Sequence, residues 1–140
     1  MEFDQIFSGI SYLSPEDDGY ESYLEDVVMK GTPLAIFRPQ SREELVEIIK
    51  RCYSSKTPFT PCGNQSSVTG ASVCSEGVLI SLSKLTQILD LESLPNGCAR
   101  VQVQPGIILS EFQEEMERRG YFYPPDPTSR EEACLGATVA

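Results

Sequence analysis

Apolar positions along the chain follow two periods, and the alternation between them lays out the elements. Leu45, Ile48, Ile49, Cys52 and Tyr53 recur at helical spacing. They follow Ser41-Arg42-Glu43-Glu44, a capping box in which the Ser41 hydroxyl accepts from the Glu44 amide and the Glu44 side chain reaches back. Residues 42–54 are therefore expected to be an amphipathic helix. Before it, a turn at Lys30-Gly31-Thr32-Pro33 leads into Leu34-Ala35-Ile36-Phe37, an apolar run of strand length that Pro39 ends. After it, Thr57 to Pro61 reads as a short strand. A helical crossover brings the chain back in the same direction, so these two strands are expected to be parallel, closing a β-α-β unit over 33–61.

Further on, Val78 to Leu82 is continuous enough in apolar character to be a buried strand. Ile88 to Leu91 and Ala99 to Gln104 form a strand pair, with turn chemistry at Pro95-Asn96-Gly97 between them. A second helix is expected near 109–119, with Leu109, Phe112 and Met116 inward and Gly120 as its stop. Residues 1–32 are polar and acidic, with a helical-looking stretch near 18–28, and read as a segment preceding a domain over 33–140. The fold class is α+β: a small β-α-β subdomain followed by a mixed sheet with helix 109–119 packed on it.

Composition narrows the function. At 140 residues the chain is one domain's length, enough to bury a core. Hydrophobic content of 40% with 23% charged residues is that of a globular protein rather than a disordered one. The net charge of −10 argues against nucleic acid and anionic membrane surfaces, which both recruit Lys and Arg. No apolar run approaches the roughly 20 residues of a membrane span, and the N-terminus lacks the order of a secretory signal. A cytoplasmic location is expected. The cysteines Cys52, Cys62, Cys74, Cys98 and Cys134 are widely spaced, without a CxxC pair, and the chain has no histidine. Free thiols are expected, and no metal site.

Three segments could carry chemistry. Pro61-Cys62-Gly63-Asn64-Gln65-Ser66-Ser67-Val68-Thr69-Gly70-Ala71 follows a strand, and its glycines let backbone amides approach an anion while Ser66, Ser67 and Thr69 add hydroxyls. It holds no Lys or Arg and matches neither the P-loop nor GxGxxG. Neutral donors of this kind suit a cofactor pyrophosphate better than a transferred phosphoryl group. Taken alone, it reads as an ordinary loop. Gln102-Val103-Gln104-Pro105-Gly106 is a strand running into a turn. Tyr123-Pro124-Pro125-Asp126-Pro127-Thr128-Ser129 is stiffened by prolines that fix φ, which makes a wall for a flat ring or simply a surface turn.

The order of these segments, with Gly77-Val78-Leu79-Ile80-Ser81-Leu82-Ser83-Lys84-Leu85 between the first two and Leu135-Gly136-Ala137-Thr138-Val139-Ala140 at the end, resembles the PCMH-type FAD-binding domain of the vanillyl-alcohol oxidase superfamily. The likeness spans roughly residues 20–140. It leans to the 2-hydroxy-acid branch, which includes FAD-linked glycolate oxidase, D-lactate dehydrogenase and D-2-hydroxyglutarate dehydrogenase.

The resemblance implies FAD, held non-covalently. Gly63, Asn64, Gln65, Ser66 and Ser67 would wrap its pyrophosphate, with Thr69 and Gly70 completing the loop. Pro105 and Gly106 would border it from the next strand, and Pro125, Asp126 and Ser129 would lie near the flavin and ribityl side. Gly136 and Ala137 would pack on the cofactor, Ala137 standing where the family has a second glycine. Cys62 occupies a position where relatives carry arginine, or histidine when flavin is attached covalently. A histidyl-flavin bond has no donor in this chain, and Cys62 reads as a buried free thiol.

The resemblance also implies that the family's flavin domain continues beyond residue 140 and that a substrate domain follows. The chain is thus expected to be the FAD-binding portion of a flavin-dependent oxidoreductase acting on a small 2-hydroxy acid, inactive without the further region. A non-catalytic binding or assembly module is an alternative, which a large exposed apolar patch would favour. An FAD oxidase of the same superfamily with a different alcohol substrate is another.

Overall fold

The computed structural model of the chain describes residues 2–139. The N-terminal segment carries a short helix α1 (Phe3–Ile6), a strand β1 (Tyr12–Leu13) and a 3-10 turn over Tyr20–Tyr23. The helix expected near 18–28 is reduced to that turn. Gly19 sits at φ +88, and beyond the turn the Asp26 carboxylate accepts from the amides of Val28 and Met29 at 2.8 and 3.0 Å. Such local side-chain bonds give the backbone an alternative to the helix, and here they win. The segment then folds back as an isolated antiparallel bridge between Glu25 and Lys30.

β2 (Ala35–Phe37), α2 (Arg42–Ser55) and β3 (Phe59–Cys62) reproduce the expected β-α-β unit. Its two strands run the same way, yet they do not touch. β4 (Val78–Ser81) lies between them, parallel to both, with Leu79 level with Ile36 on one side and Thr60 on the other. β1 adds antiparallel to β2, giving the order β1-β2-β4-β3. Every residue of β4 is buried, as befits a central strand covered on both faces.

Alternation along the strands sends side chains to two cores. Ala35, Phe37, Val78 and Ile80 meet Ile48 and Cys52 of α2, together with Phe7. Ile36, Leu79 and Cys62 face the other way, against Tyr20 and Cys74. The Tyr20 hydroxyl donates to the Pro33 carbonyl, tying the 3-10 turn to the strand entry.

The cap of α2 forms largely as the sequence indicates. The Ser41 hydroxyl accepts from the Glu44 amide at 3.1 Å, while the Glu44 carboxylate accepts from Gln40, one residue ahead of the capping serine, at 2.8 Å. The buried stripe is narrower than the periodicity suggests. The core beneath α2 takes Ile48 and Cys52, with Leu45 partly buried at its border, whereas Tyr53 is 86% exposed.

β5 (Ile88–Ser93) and β6 (Ala99–Val103) form a separate antiparallel pair, joined through Gly97 at φ +78. α3 (Leu109–Arg118) packs on this hairpin rather than on the mixed sheet. Leu109, Phe112 and Met116 join Leu91, Val101 and Val103 in a third core. α3 ends at Gly120, φ +83, where the Tyr121 amide returns to the Met116 carbonyl at 2.9 Å. A last helix, α4 (Leu135–Val139), closes the described chain.

In urea unfolding, Ile48→Ala is expected to cost about 2–5 kcal/mol through lost burial and the cavity left behind. Ser41→Ala is expected to cost about 1 kcal/mol through the lost cap, and Tyr53→Ala to stay within about 0.5 kcal/mol because its ring faces solvent.

Candidate functional site

β3 delivers the chain to the end of the sheet at Cys62, where the loop 63–72 leaves it. Two residues of that loop take left-handed backbone, Gln65 at φ +52 and Gly70 at φ +77. For glycine this costs little, but for glutamine it is uncommon and needs surrounding support.

The loop forms one wall of a cleft of about 860 Å³. Gly63, Asn64, Gln65, Ser66 and Ser67 line it from this side. The facing wall contains Pro105, Pro125, Asp126, Ser129, Gly136 and Ala137. Segments distant in sequence and singled out as cofactor contacts thus meet across one concavity.

Three of the expected residues lie outside the lining. Thr69 turns inward on its own loop, its hydroxyl 2.9 Å from that of Ser67 and its amide donating to the same oxygen at 3.2 Å. The Gly70 amide donates to Asp26 at 2.8 Å. Gly106 is buried behind Pro105, its amide donating to the Leu85 carbonyl at 2.7 Å. The cleft is also lined by Ser72, Leu82, Ala133, Cys134 and Thr138, none of them among the expected contacts, although Leu82 and Thr138 stand within the stretches that carry the resemblance. Ser72 closes the glycine- and hydroxyl-rich stretch that starts at Cys62, so its hydroxyl was within reach of the same reasoning.

The two walls meet closely where Gly63 lacks a side chain, and the facing wall is itself drawn tight where Gly136 lacks one. A Cβ on Gly63 would stand 2.9 Å from the Cys134 sulfur, and one on Gly136 2.6 Å from the Cβ of Pro105. The Gly136 amide donates to the Pro105 carbonyl at 2.9 Å, and the Asn64 side-chain amide spans to the Glu132 carbonyl at 3.1 Å. The proline wall is fixed from behind by Gln113 of α3, whose amide nitrogen donates to the carbonyls of Tyr123 and Pro125 at 3.2 and 2.7 Å.

Electrically the cleft is close to neutral. Its lining contains no Lys or Arg, and Asp126 is its one carboxylate, exposed and 3.6 Å from Arg130. Burial pushes the Cys62 thiol up to about 12, against a smaller opposing effect of the Ser81 hydroxyl. Burial also raises Cys134, partly offset by the Asn64 amide beside its sulfur. Both are uncharged thiols at neutral pH. Among the described residues, the amides of Gln65, Ser66, Ser67 and Val68 donate to no acceptor within the chain. The Ser72 hydroxyl is buried in the lining without a partner. A concavity with unclaimed donors and no fixed cation is suited to an anion held by hydrogen bonds.

The fold is that of the PCMH-type FAD-linked oxidases. A Physcomitrella patens BBE-like 1 variant superimposes with a TM-score of 0.75 at 14% identity, over 98% of this chain and 30% of that one. Chitooligosaccharide oxidase does so with a TM-score of 0.71 at 15% identity, over 91% of this chain and 27% of that one. The FAD binding domain family matches residues 33–140, and the chain belongs to it. It is 34% identical over 130 residues to D-lactate dehydrogenase of Anaerostipes hadrus, covering 89% of this chain and 26% of the relative. It is 32% identical over 119 residues to glycolate oxidase subunit GlcD of Bacillus subtilis strain 168, covering 84% and 25%. The chain therefore spans about a quarter of the length of these relatives.

The state of the thiols is directly testable. At pH 8, mass spectrometry after brief alkylation is expected to find Cys98, the exposed one, modified ahead of the four buried cysteines. Between 9.0 and about 12 an unfolded Cys62 has released a proton that the folded one retains. The unfolded state then binds fewer protons, so urea midpoints are expected to fall as pH rises through that window. Cys62→Ala is expected to flatten the decline.

Proposed function

We propose that the cleft receives FAD, held without a covalent bond, and that the chain is the FAD-binding portion of a flavin-dependent oxidoreductase acting on a small 2-hydroxy acid. The observation that carries the reading is the orphaned Ser72 hydroxyl in the same cleft lining as Gln65, Ser66 and Ser67 with their unclaimed amides, opposite Pro105 and Gly136. A buried hydroxyl without a partner is destabilising, and a pyrophosphate oxygen would satisfy it. The identity to D-lactate dehydrogenase and glycolate oxidase subunit GlcD supports the substrate class.

FAD, when bound, supplies the two-electron acceptor for oxidation of a carbon–hydrogen bond. The chain's own residues bind and orient. The loop 63–67 and Ser72 provide neutral donors for the anionic bridge, and Pro125 with its flanking prolines provides a stiff apolar wall that changes little on binding. Gly63 lets the loop stand close against Cys134, and Gly136 lets α4 stand close against Pro105. The lining offers a substrate carboxylate no cation, and apart from the exposed Asp126 carboxylate the titratable groups in it are neutral thiols. The reading therefore gives this lining no part in capturing a substrate carboxylate, and the chain alone is expected to turn over little substrate. Free thiols fit a cytoplasmic setting, which belongs to the same proposal.

Ser72→Ala separates this reading from a structural one. It is expected to weaken FAD binding about tenfold, measured by flavin fluorescence titration, while leaving the FAD-free chain as stable or slightly more so, because an unpaired buried hydroxyl is removed. Gly136→Val, which forces a side chain into Pro105, is expected to abolish binding. A chain that binds no FAD at micromolar concentrations would sink the reading.

A further inference from the structure

The family match begins at residue 33, yet two contacts reach the cleft loop from the segment ahead of it. The Gln65 side-chain amide donates to the Tyr23 carbonyl at 3.0 Å, and the Gly70 amide donates to the Asp26 carboxylate at 2.8 Å. These bonds grip the loop at both of its left-handed residues. Between the grips lie Ser66 to Thr69, which include the unclaimed amides of Ser66, Ser67 and Val68.

The gripping segment is itself ordered. Glu25 and Lys30 form an antiparallel bridge, and the Gly31 amide returns to the Leu24 carbonyl at 2.6 Å. Asp26 accepts from Val28 and Met29 with one oxygen, which leaves the other for Gly70. Donation by the Val28 amide, then by Met29 and Gly70, lowers the Asp26 carboxyl below its ordinary value, so it is ionised at neutral pH. The grip on Gly70 is thus a charge-assisted bond, about twice as strong as a neutral one. A side chain on Gly70 would drive into the Met29 sulfur, so loop and segment meet there without space between them.

Gln65 holds a conformation that non-glycine residues avoid, which persists only where neighbours over-determine it. The Tyr23 carbonyl is the acceptor that does so. From this arrangement, we infer that Asp26 is a positioning residue of the FAD site and that residues 23–31 form a clasp fixing the pyrophosphate loop in its binding shape. The inference rests on the FAD reading. It extends the site to a segment that lines no part of the cleft.

Asp26→Asn tests it. Asparagine keeps one carbonyl oxygen for the Val28 and Met29 amides but presents Gly70 with an NH₂ group where an acceptor stood. FAD affinity of the chain is expected to fall about tenfold by fluorescence titration, the loss of one charge-assisted hydrogen bond. Hydrogen exchange on the FAD-free chain, followed residue by residue, is expected to quicken at Gly70 and Thr69, the bonded amides of the loop, and to stay unchanged across β2 and β4. Wild-type binding with an unaltered variant overturns the clasp and leaves the FAD reading standing. Exchange quickened throughout the sheet overturns it too, since Asp26 would then be supporting the fold at large. A wild-type chain that binds no FAD removes both.

Discussion

The arrangement depends on two places where backbone stands against neighbouring atoms with nothing in between. At Gly63 the loop lies against the Cys134 sulfur, and at Gly136 the start of α4 lies against Pro105. A single methyl at either point would enter occupied space. The first approach joins the mixed sheet, which carries the loop, to the segment ahead of α4, and the second draws α4 onto the end of the hairpin, on the side that carries the proline wall. Without them the two halves would present their polar edges separately, and the concavity between them would open. Because interiors resist deformation, the width of the cleft is set by these contacts rather than by whatever occupies it.

The chemistry follows from that width. The chain carries −10 overall, so its long-range field does nothing to attract an anion. Whatever holds a negative group in the cleft must act at hydrogen-bond range. Unclaimed amides at residues 65–68 and the Ser72 hydroxyl are suited to this, since a fixed dipole aimed at close quarters does not need bulk charge behind it. Neutral thiols at Cys62 and Cys134 complete a floor that neither repels nor competes.

Much of this was legible in the sequence because it rests on local rules. The Ser41 cap, the spacing of Ile48 and Cys52, the continuous run at Val78 to Ser81 and the Gly120 stop each stand where short-range physics requires them. The loop and the proline wall were legible as candidates through their order along the chain. What escaped depends on distant partners. No local pattern says that β4 inserts between β2 and β3, because neighbours in sequence are the natural first guess for neighbours in space. Gly70 and Gly106 stood out in the sequence, but no local pattern says that their missing side chains leave room for Met29 and for the Leu82 carbonyl. The stretch near 18–28 had helical composition, and only the Asp26 turn revealed why it does not coil. Gln65 gave no sign of its backbone, since its support comes from a carbonyl 42 residues away.

The order of the sheet leaves β3 at an edge, and its composition has a bearing on self-association. Pro58 and Cys62 direct their carbonyls to β4, so by alternation the intervening odd positions face away from the sheet. Pro61 is one of these, and it has no N–H to give. An extended strand from another molecule would find the rung it needs missing there, so this flank is a poor template for stacking or fibril growth. The residue that launches the cleft loop also seals the open side of the sheet.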